Sequence, residues 1–169
     1  MVNGGIFGPK LSGKTTLAKT LSQQYWSKHK VRSIVLDIND DEIEWGEQAF
    51  VMSDEEKFWK ATWESTNSVI IVDEAAATIS RARELIPVFT RLRHNHHVLI
   101  VIGHSGMDLL PVMRQQFDTL FLFRQPESAA KVWSETMTEK GLLGAVDLKQ
   151  YEFIRCELYQ PPQKMKLKL

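Results

Sequence analysis

The chain has 169 residues, of which 43% are hydrophobic and 25% charged, proportions that fit one globular domain and exclude wholesale disorder and fibrous repeats. Lys plus Arg and Asp plus Glu both number 21, so bulk charge does not drive coating of a polyanion, although a local basic site remains open. The single cysteine, Cys156, allows neither an internal disulfide nor a cysteine-rich metal site.

In chain order, short apolar runs alternate with helical patterns, which argues an α/β fold around a parallel sheet. Gly4-Gly5-Ile6-Phe7 is the first run and ends at Gly8. Leu17, Leu21 and Tyr25 then recur every four residues, predicting a helix after Gly13. Ser33-Ile34-Val35-Leu36-Asp37 is a buried-strand pattern, and residues 54–66 carry Trp59 and Trp63 at helical spacing with Asp54 as a cap. Val69-Ile70-Ile71-Val72-Asp73 and Val98-Leu99-Ile100-Val101-Ile102 are uninterrupted β-branched runs, and Thr119-Leu120-Phe121-Leu122-Phe123 is the fifth. Between them, Ile79, Ala82, Ile86 and Phe89 form a helical stripe with Pro87 as a kink or break, and Leu110, Met113 and Phe117 form a shorter one. Residues 126–137 predict a further helix opened by Pro126 and Glu127, and residues 151–158 an added edge strand. The expected division is one domain over residues 1–160 and a basic C-terminal arm over 161–169, with Lys164, Lys166 and Lys168 alternating. Residues 33–56 hold nine acidic residues and no Lys or Arg, read as a solvated face or as a surface meeting a basic neighbour. The N-terminus lacks a signal-peptide pattern, and no apolar run approaches the roughly 20 residues of a membrane span, so the expected setting is soluble and cytoplasmic.

Gly8-Pro9-Lys10-Leu11-Ser12-Gly13-Lys14-Thr15, followed by Thr16, satisfies the phosphate-loop pattern G-x-x-x-x-G-K-[ST]. A polyphosphate needs several donors converging on one point. Glycines let the backbone curl so that consecutive N–H groups point inward, and the helix that follows adds the field of its N-terminus. Lys14 brings a full charge to the β- and γ-phosphates, and the Thr15 hydroxyl is placed to hold Mg²⁺.

The strand ending in Asp73-Glu74 delivers two carboxylates to the ligand edge of a parallel sheet. Asp73 there can hold Mg²⁺ opposite Thr15, and Glu74 can polarise a water for attack on the γ-phosphorus. An acidic pair at a helix N-terminus is the other reading, and both can hold together. The next strand ends in Gly103-His104-Ser105. His104 or Ser105 there either senses the γ-phosphate or caps the following segment. Before that strand lies Arg91-Leu92-Arg93-His94-Asn95-His96-His97. Sequence neighbours rarely converge on one ion, so the histidines are not read as a metal site. An added guanidinium on a γ-phosphate is a strong transition-state device, and Arg93, then Arg91, are the candidates, ahead of Arg81 and Arg83.

From about Gly4 to Phe123 the chain resembles the FtsK–HerA superfamily of DNA-pumping ATPases, particularly the A32-like genome-packaging ATPases of viruses and phages. The resemblance rests on the loop from Gly8 to Thr15, on Ile70-Ile71-Val72-Asp73-Glu74, and on an arginine–strand–polar-tip unit in which Arg93 and His104 fall at the two polar places. His104 stands where that family commonly has Gln. The resemblance implies a P-loop NTPase three-layer sandwich, a mainly parallel sheet of order 5-1-4-3-2 with helices on both faces, and ATP with Mg²⁺ as ligands. It further implies a homo-oligomeric ring, a hexamer, with Arg93 acting on the neighbour's ATP. Double-stranded DNA would pass through the ring's channel without sequence reading, beside capsid or vertex proteins, in the host cytoplasm or at the packaging vertex of a virion. Lys131, Lys140, Lys149 and the arm are the available channel cations. The alternatives are a small nucleoside or nucleotide kinase, a filamentous-phage-type morphogenesis ATPase, and a nucleotide-gated interaction module without turnover.

Overall fold

The structure is a computed structural model, and it describes residues 3–38, 44–79 and 86–168. Its frame is one eight-stranded sheet made of β1 (Gly4–Phe7), β2 (Ser33–Leu36), β3 (Ala49–Met52), β4 (Val69–Val72), β5 (Val98–Gly103), β6 (Thr119–Phe123), β7 (Glu152–Glu157) and β8 (Gln163–Lys166). They lie in the order β3-β2-β4-β5-β1-β6-β7-β8. β1 to β6 are parallel to their neighbours, and β7 and β8 close the sheet antiparallel. The five predicted strands stand in the expected order, because β2-β4-β5-β1-β6 is 5-1-4-3-2 counted from the other edge. The sheet is longer than expected by β3 on one side and by β7 and β8 on the other.

The helices are α1 (Lys14–His29), α2 (Glu55–Glu64), α3 (Ala75–Thr78), α4 (Ile86–Arg91), α5 (Pro111–Arg114) and α6 (Glu127–Met137). The Asp54 carboxylate accepts from the Lys57 N–H at 3.0 Å and starts α2 as its cap. The period-2 alternation of the central strands builds two cores. Ile70 and Val72 of β4 join Phe58, Phe89 and Trp133 on the face covered by α2, α4, α5 and α6. Val69 and Ile71 join Leu17, Ala18 and Ile100 on the face covered by α1. The helices therefore lie on both faces of the sheet, as expected.

Some expectations change. The segment 151–158 holds β7, which is not the edge, because β8 pairs beyond it with Phe153 opposite Met165. Part of the 161–169 segment, expected as a basic C-terminal arm, is thus an edge strand whose four side chains are all exposed. Its polar composition hides a strand held by its backbone ladder to β7 and by the Lys164–Glu152 ion pair. Ala82, Arg81 and Arg83 lie outside the described residues, as do Asp40, Asp41 and Glu42, while Pro87 is the second residue of α4.

The parallel topology also places the site. α1 carries the chain from β1 toward β2 on one side, and β6 lies on the other side of β1. A crevice opens at such a switch point, outside the carboxyl ends of the strands.

Candidate nucleotide site

The loop between β1 and α1 curls through two left-handed residues, Leu11 at φ 59° and Gly13 at φ 100°. Leu11 is 85% exposed, so nothing but backbone geometry calls for it there. Two glycines are required, Gly8 by space and Gly13 by its left-handed backbone. A Cβ on Gly8 would come within 2.5 Å of the Phe123 Cβ, and one on Gly13 within 2.4 Å of Leu167 Cδ1. Gly13 then heads the sixteen-residue α1, which has no side-chain cap and no acid in its first turn. Its N–H groups are therefore left for an external anion. Among the described residues, the buried Ser12 hydroxyl in the same loop has no hydrogen-bond partner.

The cleft above the loop has a volume of about 810 Å³. Lys10, Leu11, Ser12, Gly13, Lys14, Thr15 and Thr16 line it from the loop, and Asp73, Glu74 and His104 from the strand ends. Pro9 contributes its carbonyl, which accepts from Lys14 Nζ at 2.9 Å, and Gly8 is anchored by its N–H to the Gly103 carbonyl at 3.2 Å. Burial pushes the Lys14 ammonium below its ordinary value, and the carboxylates of Asp73 and Glu74 partly offset this.

Thr15 Oγ1 donates to Asp73 Oδ2 at 3.2 Å, and Asp73 Oδ1 accepts from the Glu74 N–H at 2.8 Å. Burial raises the Asp73 carboxyl above its usual range, and the neighbouring charges of Asp37 and Glu74 add to that; the two hydrogen bonds oppose it. A partly buried carboxylate beside two others and a hydroxyl is a hard-oxygen donor set, which suits Mg²⁺. Glu74 itself sits in the left-handed region at φ 56°. Its Oε1 lies 2.9 Å from His104 Nε2, while His104 Nδ1 lies 3.3 Å from the Gly8 carbonyl. His104 thereby ties the catalytic-carboxylate candidate to the start of the phosphate loop.

The arginine candidates lie elsewhere. Arg93 sits before β5, at the amino edge of the sheet, where its guanidinium pairs with Asp118 Oδ2 at 2.7 Å and remains about half exposed. Arg91 is exposed at the end of α4. Neither lines the cleft. The three histidines diverge: His94 and His96 are exposed, whereas His97 is 2% exposed. Lys131, Lys140 and Lys149 are all exposed.

Two cleft-side residues escaped the sequence reading. Gln125, buried after β6, donates from Nε2 to the His104 carbonyl at 3.0 Å and steadies that strand tip. Tyr151 lines the cleft from the turn before β7. Neither belongs to a motif, and only β6–β7 pairing brings Tyr151 near the loop.

The model of the ATPase family associated with various cellular activities (AAA) matches residues 5–125, from the first strand past the fifth. The chain belongs to this family of ATPases. No curated protein matches the chain. Among solved structures, the AAA chain is similar to the genome packaging NTPase B204 of Sulfolobus turreted icosahedral virus 2 in complex with sulfate, at TM-score 0.84 and 23% identity, covering 99% of this chain and 97% of that one. The same NTPase in complex with AMPPCP matches at TM-score 0.81 and 23% identity, over 98% and 97% of the two chains. VirB4 of Thermoanaerobacter pseudethanolicus matches at TM-score 0.73 and 11% identity, over 99% and 89%. At these identities the likeness is one of fold. Among the described residues, no helix is long and apolar enough to cross a membrane.

Proposed function

We propose that this chain is an ATP-hydrolysing translocase of the FtsK–HerA type that packages double-stranded DNA into a viral or phage particle, working as a homo-oligomeric ring in the host cytoplasm or at the packaging vertex. The observation that carries the catalytic part is the meeting of three segments at one sheet edge: the Thr15–Asp73 contact of 3.2 Å beside the Glu74–His104 contact of 2.9 Å. The packaging part draws its support from the likeness to B204, which runs over nearly the full length of both chains.

The chemistry follows from these side chains. Lys14 exchanges the Pro9 carbonyl for the β- and γ-phosphate oxygens, and the N–H groups at the start of α1 take the remaining phosphate contacts. Thr15 and Asp73 would hold Mg²⁺, which neutralises charge on the phosphates when bound. Glu74 orients a water and accepts its proton as the water attacks the γ-phosphorus. His104 Nε2 donates to Glu74 and fixes the carboxylate's direction. Arg93, out of reach of its own cleft, supplies its guanidinium to the neighbouring subunit.

The test is turnover of ATP with Mg²⁺, with and without double-stranded DNA, across a salt series. The expected result is hydrolysis that DNA stimulates, with stimulation fading as salt rises because phosphate contacts release counterions. Lys14→Ala should abolish it. Unchanged turnover in that variant overturns the site, and hydrolysis indifferent to DNA at every salt overturns the translocase.

A further inference from the structure

The turn that carries Tyr151 is built more firmly than a surface connection needs to be. Tyr151 is held at φ 65°, and its carbonyl accepts from the Leu167 N–H at 2.9 Å. Glu152 closes the turn, its Oε2 accepting from the Lys149 N–H at 2.9 Å and from Lys164 Nζ at 2.8 Å. Gln150 reaches across to the phosphate loop, donating from Nε2 to the Leu11 carbonyl at 3.2 Å. β8 and the turn before β7 are thus clipped together and onto the loop.

The ring of Tyr151 is where this clamp meets the cleft. It lines the cleft together with Gly13 and Thr16, and its Cδ1 lies 3.2 Å from the position of a Cβ on Gly13. Gly13 and Lys14 open α1, so the ring stands beside the start of that helix, while Glu74 and His104 line the cleft from the ends of β4 and β5. A triphosphate laid along the loop leaves its sugar and base on the Tyr151 side. The ring is half-buried, presenting a flat apolar face at low entropic cost, and stacking on such a face is tolerant of hydrogen-bond pattern.

We propose that Tyr151, pre-set by the β7–β8 clamp, is the stacking wall for the base of the nucleoside triphosphate, so that the site favours purine over pyrimidine triphosphates through ring overlap. The proposal rests on the cleft being the nucleotide site.

Equilibrium binding of ATP, UTP and inorganic tripolyphosphate to the full chain, each with Mg²⁺, separates the two. Asn tolerates the left-handed region, so Tyr151→Asn removes the ring with little backbone penalty. ATP affinity should fall about tenfold in this variant, with tripolyphosphate affinity unchanged, and Tyr151→Phe should bind ATP like the parent. The parent should bind ATP more tightly than UTP by a similar factor. Loss of tripolyphosphate binding in Tyr151→Asn would mean a damaged fold, and the parent's ATP-to-UTP ratio then decides alone. Equal ATP affinity in Tyr151→Asn and parent, or equal ATP and UTP affinity in the parent, overturns the stacking wall while leaving the cleft intact. A parent that binds none of the three overturns the cleft itself.

Discussion

Glu74 occupies a left-handed backbone conformation at φ 56°, which costs a non-glycine residue about 1–2 kcal/mol. Such strain persists only where surrounding contacts over-determine it; here they are the Glu74 N–H bond to the Asp73 carboxylate and the contact with His104 Nε2. Glu74→Gln keeps the side chain's shape and removes its basicity. It should lower kcat by at least about 100-fold while ATP affinity stays nearly constant. His104→Ala, which frees the carboxylate without removing it, should lower kcat by about tenfold with little change in KM. Steady-state kinetics beside equilibrium ATP binding check both, and a Glu74→Gln enzyme with parental kcat would remove the carboxylate from the chemistry. The positions of Lys14, Thr15, Asp73 and Glu74 were legible because each lies in a local pattern that chain geometry carries to the strand ends. The His104–Glu74 contact was not, since it depends on β4 and β5 aligning Val72 with Val101.

At the scale of elements, the histidine-rich stretch before β5 shows what a fold does with a suggestive cluster. His97 Nδ1 accepts from the Ser68 N–H at 3.1 Å, and its Nε2 faces the carbonyls of Ser65 at 3.1 Å and Thr62 at 3.2 Å. The neutral ring with its proton on Nε2 satisfies all three and ties the end of α2 to the entries of β4 and β5. Burial pushes the imidazole's affinity for protons below its ordinary value, against the pull of the carbonyl contacts. The unfolded ring then binds its proton first. The stabilisation is complete above about pH 6.5 and is lost as pH falls through that value toward the folded one. The melting temperature should therefore drop between about pH 7.5 and 5.5, and His97→Gln, less stable at the higher pH, should show a shallower drop. Thermal melts over that interval check it, and equal slopes for variant and parent would exclude His97 as the source. The five buried parallel strands were visible as apolar runs. β3 and β8 were not visible as strands: β3 is a four-residue apolar stretch, Ala49-Phe50-Val51-Met52, that lies half on the surface at the edge of the sheet, and β8 is polar with all four side chains exposed.

For the whole molecule, the decisive fact is that Arg93 and the cleft lie at opposite edges of the sheet. β5 separates them with six residues, about 20 Å at 3.3 Å per residue. An arginine so placed serves catalysis only across a subunit boundary, and its present partner Asp118 must release it. Arg93→Ala and Glu74→Gln should each be inactive alone, whereas mixed subunits should recover part of the parental turnover at interfaces that pair an intact carboxylate with an intact arginine. Turnover measured across mixing ratios checks this, and no recovery at any ratio would rule out the trans arrangement. The order of the central strands was implied by the resemblance to a known family, whereas the fold class, the phosphate-loop pattern and the acid pair were legible in the sequence itself. These arise from short-range requirements: glycines where the backbone must curl, β-branched runs where a strand is buried on both faces, carboxylates just past a strand end. Only the tertiary structure decided that Tyr151 overlooks Gly13, that the lysine-bearing tail is partly a strand clipped to the loop, and that Arg93 pairs with Asp118. Each of those pairs residues far apart in the chain, and such pairs are set by the register of whole strands against one another.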